Sequence, residues 1–405
     1  MNSLLDALKD PEAWEAFRQK KIDRGQLSRS ELRSLDSFLA EKRYLAFAGD
    51  RAFGYPEKKE IAKMGSQKKR TVYSYAEDEM WALKFLARGL YRYDSRLSDC
   101  CYSFRPGRTA KTAFDRILAL PDLSSRCSLK LDIHDYFNSI DTGRLLPLLE
   151  EVLADDPRLF ALFRDLLTQD KCIWRGELIS EKRGAMAGVP LSGFCADLYL
   201  RSLDDAMTER GIPFFRYSDD MILFAKSPEE RADAFAFLQG SLADLGLTLN
   251  MAKYEEAGPG QPWTFLGFVY EDGKIDLAPA TVRKMQGKIR RKAAALWRWR
   301  KRTGASFERA ASAMIRSFDR RFYDLTGTNE FSWIRFYFPV ITRTEGLRAI
   351  DRTLVQYLRY LSSGRHYKGN YRVAYEDLVR LGYTPLVAEY FRWKEENARL
   401  SHGEG

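Results

Sequence analysis

Histidine is nearly absent from this sequence: His134, His366 and His402 are the three in 405 residues. Cysteine is scarce too. The five residues Cys100, Cys101, Cys127, Cys172 and Cys195 include no C-x-x-C spacing, so a structural zinc site is not expected, and the odd count suits reduced thiols. No apolar run reaches the roughly 18 residues of a membrane-spanning helix. The opening Met-Asn-Ser-Leu-Leu-Asp-Ala-Leu-Lys-Asp has no basic start followed by an apolar core, so no secretory signal is expected and a cytoplasmic location is. Internal repeats and low-complexity tracts are missing. Acidic residues are missing from one stretch: Thr281 to Arg302 holds ten Lys/Arg and no Asp/Glu, which alone matches the net charge of +10. Such a surplus points to a polyanionic partner, and with Trp297 and Trp299 the segment suits a helix that tracks a phosphate backbone.

The length predicts two or three subdomains. Residues 1–45 read as short helices. A basic turn at Lys68–Arg70 leads into a Thr-Val-Tyr strand, and Asp78 to Arg92 has helical spacing. Ser128 to Ile133 reads as a strand, Arg144 to Leu167 as a helix interrupted near Pro157, and Ser192 to Met207 as a helix after a Gly/Pro-rich turn. Phe214 to Phe224 predicts a hairpin around Tyr217-Ser218-Asp219-Asp220. Ser227 to Leu245 is an amphipathic helix. Thr264–Tyr270 with Lys274–Leu277 predicts another hairpin around Glu271-Asp272-Gly273. Beyond Ala278 nearly all is helical, including a packing face of Ile350, Leu354, Tyr357, Leu358 and Leu361. The expected class is α+β, an α/β-mixed core followed by a helical region.

Two segments place carboxylates at strand ends. One is Leu131-Asp132-Ile133-His134-Asp135-Tyr136-Phe137, the other the Tyr217–Asp220 turn flanked by Phe214-Phe215 and Met221-Ile222-Leu223-Phe224. Paired acids in an apolar hairpin are costly unless a cation compensates them. Three carboxylates from adjacent strands suit two Mg²⁺ ions roughly 3.5–4 Å apart. An isolated Asp-Asp is usually turn chemistry. The combination of D-x-x-x-Y-F with an apolar-flanked Y-x-D-D is far more specific.

At these motifs the chain resembles reverse transcriptases, from about Lys68 to the C-terminus. Tyr102-Ser103-Phe104-Arg105-Pro106-Gly107-Arg108 resembles the segment after the fingers in group II intron and related enzymes. Asp132–Ile140 resembles the first palm motif, Gly184–Leu200 the second, Tyr217–Asp220 the catalytic hairpin, Leu249–Lys253 the motif after it, and Phe265-Leu266-Gly267-Phe268 the primer grip. The resemblance implies a right-hand polymerase fold. Its expected parts are an N-terminal helical extension at 1–48, fingers at 49–127 and 145–185, a palm with an antiparallel sheet at 128–144 and 186–277, and a helical thumb with the C-terminal region at 278–405.

The resemblance also implies roles. Asp132, Asp219 and Asp220, with the Ile133 carbonyl, would hold two Mg²⁺. Lys253 would serve the departing pyrophosphate, Lys69 and Arg70 the triphosphate, Phe137 the sugar gate, and Gly188 the nucleotide site. Phe265, Leu266 and Gly267 would grip the primer, and Arg290, Arg291, Lys292 and Arg298 the duplex. Two departures bear on nucleotide selection: Met186-Ala187 stand where Pro-Gln usually precedes the glycine, and Asp197 replaces the common Asn. The implied partners are an RNA template, deoxynucleoside triphosphates and a DNA product, with no membrane. The region Lys68–Asp78, the Pro190-Leu191-Ser192-Gly193-Phe194 form of the second palm motif, and the tail Tyr357–Leu361 with Ser363-Gly364-Arg365-His366 look most like the stand-alone "unknown group" and defence-associated bacterial enzymes, related to those of group II introns and retrons. That implies antiphage defence with a structured non-coding RNA. The alternatives are a diversity-generating enzyme, a protein-primed template-independent polymerase of the abortive-infection kind, an RNA-dependent RNA polymerase, and a non-enzymatic RNA-binding scaffold.

Overall fold

A computed structural model describes residues 3–23, 26–48, 53–62, 69–323 and 332–402. Two compact units divide the chain. The larger comprises 1–21 and 29–266, the smaller 22–28 and 267–405. Lys68 and the last three residues, on which the sequence reading also drew, lie outside the described residues.

The larger unit holds two four-stranded sheets. The first is built from β1 (Glu57–Ala62), β2 (Lys69–Ser74), β4 (Lys171–Trp174) and β5 (Glu177–Ser180) in the order β2-β1-β4-β5. The second joins β3 (Cys127–Asp132), β6 (Phe214–Tyr217), β7 (Asp220–Ala225) and β8 (Glu255–Ala257) in the order β6-β7-β3-β8, every neighbour antiparallel. β3 and β7 are its centre, and nearly all their residues are buried, as expected of strands covered on both faces. Trp263 packs over the sheet, stacked on Phe114 at 6.0 Å and edge-on to Phe224 at 5.1 Å. The helix Pro228–Asp244 buries Ala234, Leu238 and Leu242, and the Ser227 hydroxyl caps it by accepting from Glu230 N–H at 3.2 Å.

The sequence expectations hold for most elements and shift at some. Arg144–Leu167 resolves into helices Thr142–Val152 and Pro157–Thr168. Ser192–Met207 is two helices, Ser192–Tyr199 and Arg201–Glu209, because the chain leaves helical geometry at Leu200. Lys69 and Arg70 are not in a turn: β2 begins at Lys69, since pairing with β1 extends through Ile61↔Arg70 and Ala62↔Lys69. Thr264–Tyr270 is not one strand. β9 (Trp263–Phe265) ends before Leu266 (φ +49) and Gly267 (φ +86), and β10 (Phe268–Glu271) then pairs with β11 (Lys274–Leu277). Asp272 and Gly273 both have positive φ, the geometry of a tight mirror-type hairpin turn.

The smaller unit contains helices Pro279–Thr303, Phe307–Phe322, Glu345–Ser363 and Leu386–His402, with the short helices Trp333–Phe336 and Tyr375–Arg380 between them. Pro279 starts the first, and Gly304 (φ +68) ends it. Glu345–Ser363 buries Leu347, Ile350, Leu354, Leu358 and Leu361, the predicted stripe, while Tyr357 stays half-buried. The boundary between units falls after Leu266, so the β10–β11 hairpin groups with the helices.

Candidate active site

Strand register brings the first acids together. Asp132 ends β3, Asp220 begins β7, and the two are direct antiparallel partners. Asp219 precedes Asp220 in the two-residue turn that links β6 to β7, closed by the Tyr217↔Asp220 pair. Ser218, first in that turn, has φ +60, the left-handed geometry such turns require and non-glycine residues rarely adopt. Ile133 N–H donates to the Asp219 carbonyl at 3.3 Å and ties the turn to the end of β3.

The carboxylates repel one another in a place short of water. Burial, then the charge of Asp132, raises Asp219 above the usual carboxylate range, and Arg70 pulls it back slightly. Burial and Asp219 push Asp220 up to about 6. Asp132 is the engaged member. Asn250 Nδ2 donates to its Oδ1 at 3.0 Å, Asn250 N–H donates to its carbonyl at 2.7 Å, and Lys253 Nζ forms an ion pair with its Oδ2. Burial alone would lower Lys253, but the hydrogen bond and charge of Asp132, with Asp220 and Asp219 behind it, raise it. Among the described residues no three acidic, imidazole or thiol groups are gathered closely enough to ligate one metal ion. The donor chemistry nevertheless fits a hard cation: three neighbouring carboxylates, of which only Asp132 is met by an ammonium, Lys253, and an amide, Asn250. In this arrangement Lys253 stands as the counter-charge on Asp132.

Beneath the turn lies a network not foreseen in the sequence. Arg216 is fully buried. Its Nε donates to Asp204 Oδ1 at 2.7 Å and its Nη2 to Oδ2 of the same carboxylate. Nη1 reaches Asp197 Oδ1 at 3.4 Å and the Ser218 carbonyl at 3.3 Å. Ser103 Oγ donates to Asp197 Oδ1 at 2.6 Å and accepts from Ser218 N–H at 2.8 Å. Both polar groups of the Ser218 backbone are thus held by one cluster. Burial raises Asp197 to about 6 against the pull of Arg216, and burial raises Asp204 too. Burial would lower Arg216, but Asp204 above all holds it well above its ordinary value. Asp197, noted in the sequence only as a departure from Asn, is the acid Arg216 shares with Ser103.

Phe137 is half-buried and meets Phe104 edge-on at 6.0 Å. Phe104 is 50% exposed, with φ +53, and forms an aromatic wall the sequence reading did not single out. A Cβ on Gly193 would lie 2.6 Å from the Phe104 ring. The stretch 184–188 is wedged between Phe137-Asn138 and β2. Ala185 N–H donates to Phe137 O at 2.8 Å, Tyr73 N–H to Ala187 O at 2.7 Å, and Asn138 Oδ1 accepts from Ala187 N–H at 3.2 Å. Gly188 (φ +101) leaves no room for a side chain, since a Cβ there would lie 2.9 Å from Tyr73 O.

The remaining candidates divide. Arg70 is exposed and within electrostatic reach of Asp219, while Lys69 is paired with Glu60 at 2.6 Å. Basic side chains elsewhere are also partly neutralised: Arg18 by Asp36, Lys58 by Glu181, Lys59 by Glu57. Phe265 is fully buried against Phe114, so of the expected grip only Leu266 and Gly267 present any surface. In the smaller unit, helix Pro279–Thr303 buries Met285, Ile289 and Ala293 at four-residue spacing. Arg290, Arg291 and Arg298 are exposed and Lys292 half-buried. Trp297 lies against Gly364 and Tyr360, so it packs rather than faces a ligand. Lys288, unnoticed in the sequence, is pushed down to about 8 by burial and then by Arg321, Arg291 and Lys284, a crowding of cations that an anion would relieve.

Residues 58–270, just over half of the 405, match the family described as reverse transcriptase (RNA-dependent DNA polymerase). A retron Ec86 reverse transcriptase of Escherichia coli is 24% identical over 175 residues, which are 42% of this chain and 51% of the relative. The match therefore spans about half the length of that curated relative. Among solved structures, apo telomerase from Candida tropicalis aligns with 78% of this chain and 65% of its own at 12% identity and a TM-score of 0.47. Telomerase from Candida albicans in complex with a telomeric RNA fragment aligns with 86% and 68% at 13% identity and a TM-score of 0.44. No helix among the described residues is long and apolar enough to cross a membrane.

Proposed function

Because this chain belongs to the reverse transcriptase family, we propose that it is an RNA-directed DNA polymerase whose active site is the Asp132–Asp219–Asp220 cluster. The observation that carries the reading is the register pair Asp132↔Asp220 with Asp219 beside it, a buried acid paired with Lys253 next to two half-buried ones. On this reading the fingers, palm and thumb run as the sequence divides them, with the β6-β7-β3-β8 sheet as palm floor. The three aspartates and the Ile133 carbonyl would hold two Mg²⁺, which when bound supply charge neutralisation at the reacting phosphate and a more acidic primer hydroxyl. Arg70 attracts the triphosphate toward Asp219. Lys253 is positioned to move from Asp132 toward the departing pyrophosphate and to hold a proton there. Phe137, backed by Phe104, limits space at the sugar 2′ position. Leu266-Gly267 steady the primer strand, and the exposed arginines of helix Pro279–Thr303 hold duplex phosphates.

The test is primer extension on an RNA template with Mg²⁺. Asp219→Ala with Asp220→Ala is expected to abolish incorporation and leave the circular dichroism spectrum and thermal midpoint intact or raised, since removing two mutually repelling, half-buried acids does not weaken the hairpin. Full incorporation by the double variant overturns the assignment.

The biological reading is antiphage defence with a structured non-coding RNA as constant partner and template, in the cytoplasm. It is supported by motif variants that resemble those of stand-alone defence enzymes and by the cation-rich helix. Cells carrying the gene with its native flanking DNA are expected to resist some phages, and cells with Asp219→Ala are not. One abundant RNA encoded beside the gene should co-purify. Recovery of only a random sample of transcripts defeats the dedicated-partner reading and leaves the polymerase reading standing.

A further inference from the structure

The smaller unit contains a cavity of about 690 Å³ between helix Glu345–Ser363 and the segment that follows it. Its size suits a small organic ligand or one nucleotide. Of the 21 tyrosines in the chain five are exposed, and three of those, Tyr367 (51%), Tyr371 (70%) and Tyr375 (39%), line this one cavity. Packing alone does not explain such clustering, because each ring leaves a large part of its surface in water where a fold would gain by covering it.

The rings are held in place rather than loose. Buried Asn370 donates from Nδ2 to Arg365 O at 2.6 Å and accepts from Ser363 Oγ at 2.6 Å, pinning the base of the loop. Arg359 donates from Nε to Val373 O at 3.0 Å, and its guanidinium lies over the Tyr371 ring at 4.8 Å. His366 stacks on Tyr360 at 5.0 Å and meets Tyr357 edge-on at 4.9 Å. The charge at the cavity is positive. Arg352, Arg359 and Lys368 line it, and Asp351, the one lining carboxylate among the described residues, is turned to the Leu386 and Val387 amides at 2.8 and 3.1 Å.

We propose that this cavity binds an unpaired nucleotide of an RNA strand, with the base stacked on Tyr371 or Tyr367 and the phosphates met by Lys368 and Arg352. Aromatic faces beside cations are the chemistry that holds single-stranded nucleic acid, because every base offers a π-face and every linkage a charge. More than one open ring suits a strand better than a lone nucleotide. The choice of RNA rests on the polymerase reading above. The site lies outside the residues assigned there to chemistry, so it would anchor an RNA partner rather than act on it.

The experiment is fluorescence anisotropy of a labelled, unstructured ten-nucleotide RNA with the full chain at several salt concentrations, beside primer extension on a preformed template–primer duplex. Tyr371→Leu is expected to weaken decamer binding about tenfold at every salt concentration, and Tyr367→Leu with Tyr371→Leu to weaken it further. Lys368→Ala is expected to flatten the log-affinity against log-salt slope by about 0.7. Duplex extension should stay at the wild-type rate in all three. Unchanged decamer affinity in the double tyrosine variant, or no decamer binding by the wild type, overturns the inference. Adenosine monophosphate binding that depends on Tyr371 while decamer affinity does not would assign the cavity to a free nucleotide and overturn the strand. The two readings separate cleanly: tyrosine-dependent RNA binding without any extension keeps the cavity and defeats the polymerase, and extension with tyrosine-independent binding does the reverse.

Discussion

Arg216 has no water to fall back on, so its partners decide its worth. It lies between Asp204 and Asp197, both buried, and shares the second with Ser103. Arg216→Met would strand two carboxylates in the interior, a change that typically costs about 3–5 kcal/mol. A denaturant titration is expected to show a loss of that order, and a loss under about 1 kcal/mol would mean the cluster does not hold the turn. Asp197→Asn is expected to behave differently, since an amide oxygen still accepts from Ser103 while one buried charge disappears. Asp197 is raised to about 6, so the native carboxyl keeps its proton to higher pH than the unfolded one. Stability should therefore fall as pH rises from the unfolded carboxylate value near 4 to about 6, then level off. Denaturation at pH 4.5 and 7 is expected to show a shallower fall in Asp197→Asn than in the wild type. Phe137 invites a kinetic test. Phe137→Ala should raise the ribo- over deoxyribonucleotide ratio of kcat/KM by an order of magnitude. An unchanged ratio would leave the ring only its contact with Phe104.

Helix Pro279–Thr303 joins a narrow buried stripe to a dense cationic surface, so its charge can serve a ligand without upsetting its packing. Replacing Arg290, Arg291, Lys292 and Arg298 with Gln is expected to flatten the salt slope of duplex binding by about 0.9 for each phosphate left without its cation. Lys288 adds a proton signature. Held down to about 8 by burial and neighbouring cations, it should regain its proton when phosphate arrives, so duplex binding near pH 8 takes up protons. Affinity should then fall with rising pH through that region more steeply in the wild type than in Lys288→Met, as measured by titration in two buffers of different ionisation enthalpy. The helix was legible from its missing acids, and the β6–β7 hairpin from its apolar flanks, because both signals are local. Lys288 was not, since Arg321 belongs to another helix. At Lys69 and Arg70 the run of charge suggests a turn and masks a strand whose start is set by pairing with β1.

At the scale of the whole chain, motif order discloses the family and puts forward the three aspartates as candidates, because motif spacing is written along the sequence. The support beneath them is written across it. Ser103 and Ser218 are 115 positions apart, Asp132 and Lys253 121, and neither pairing leaves a periodic trace. The helices beyond Ala278 are legible in the sequence, yet the parting of the units after Leu266 is not, because which segments pack together is a matter of tertiary contact rather than composition. The Lys253 pairing also bears on how the protein is made. The ribosome delivers Asp132, Asp219 and Asp220 before it delivers Asn250 and Lys253. A nascent chain that has emerged only through β7 holds every acid and none of their counter-charge from that segment. The β6–β7 hairpin therefore gains the contacts of Asn250 and Lys253 late in synthesis, and a premature stop after β7 would release an Asp132 without either of them.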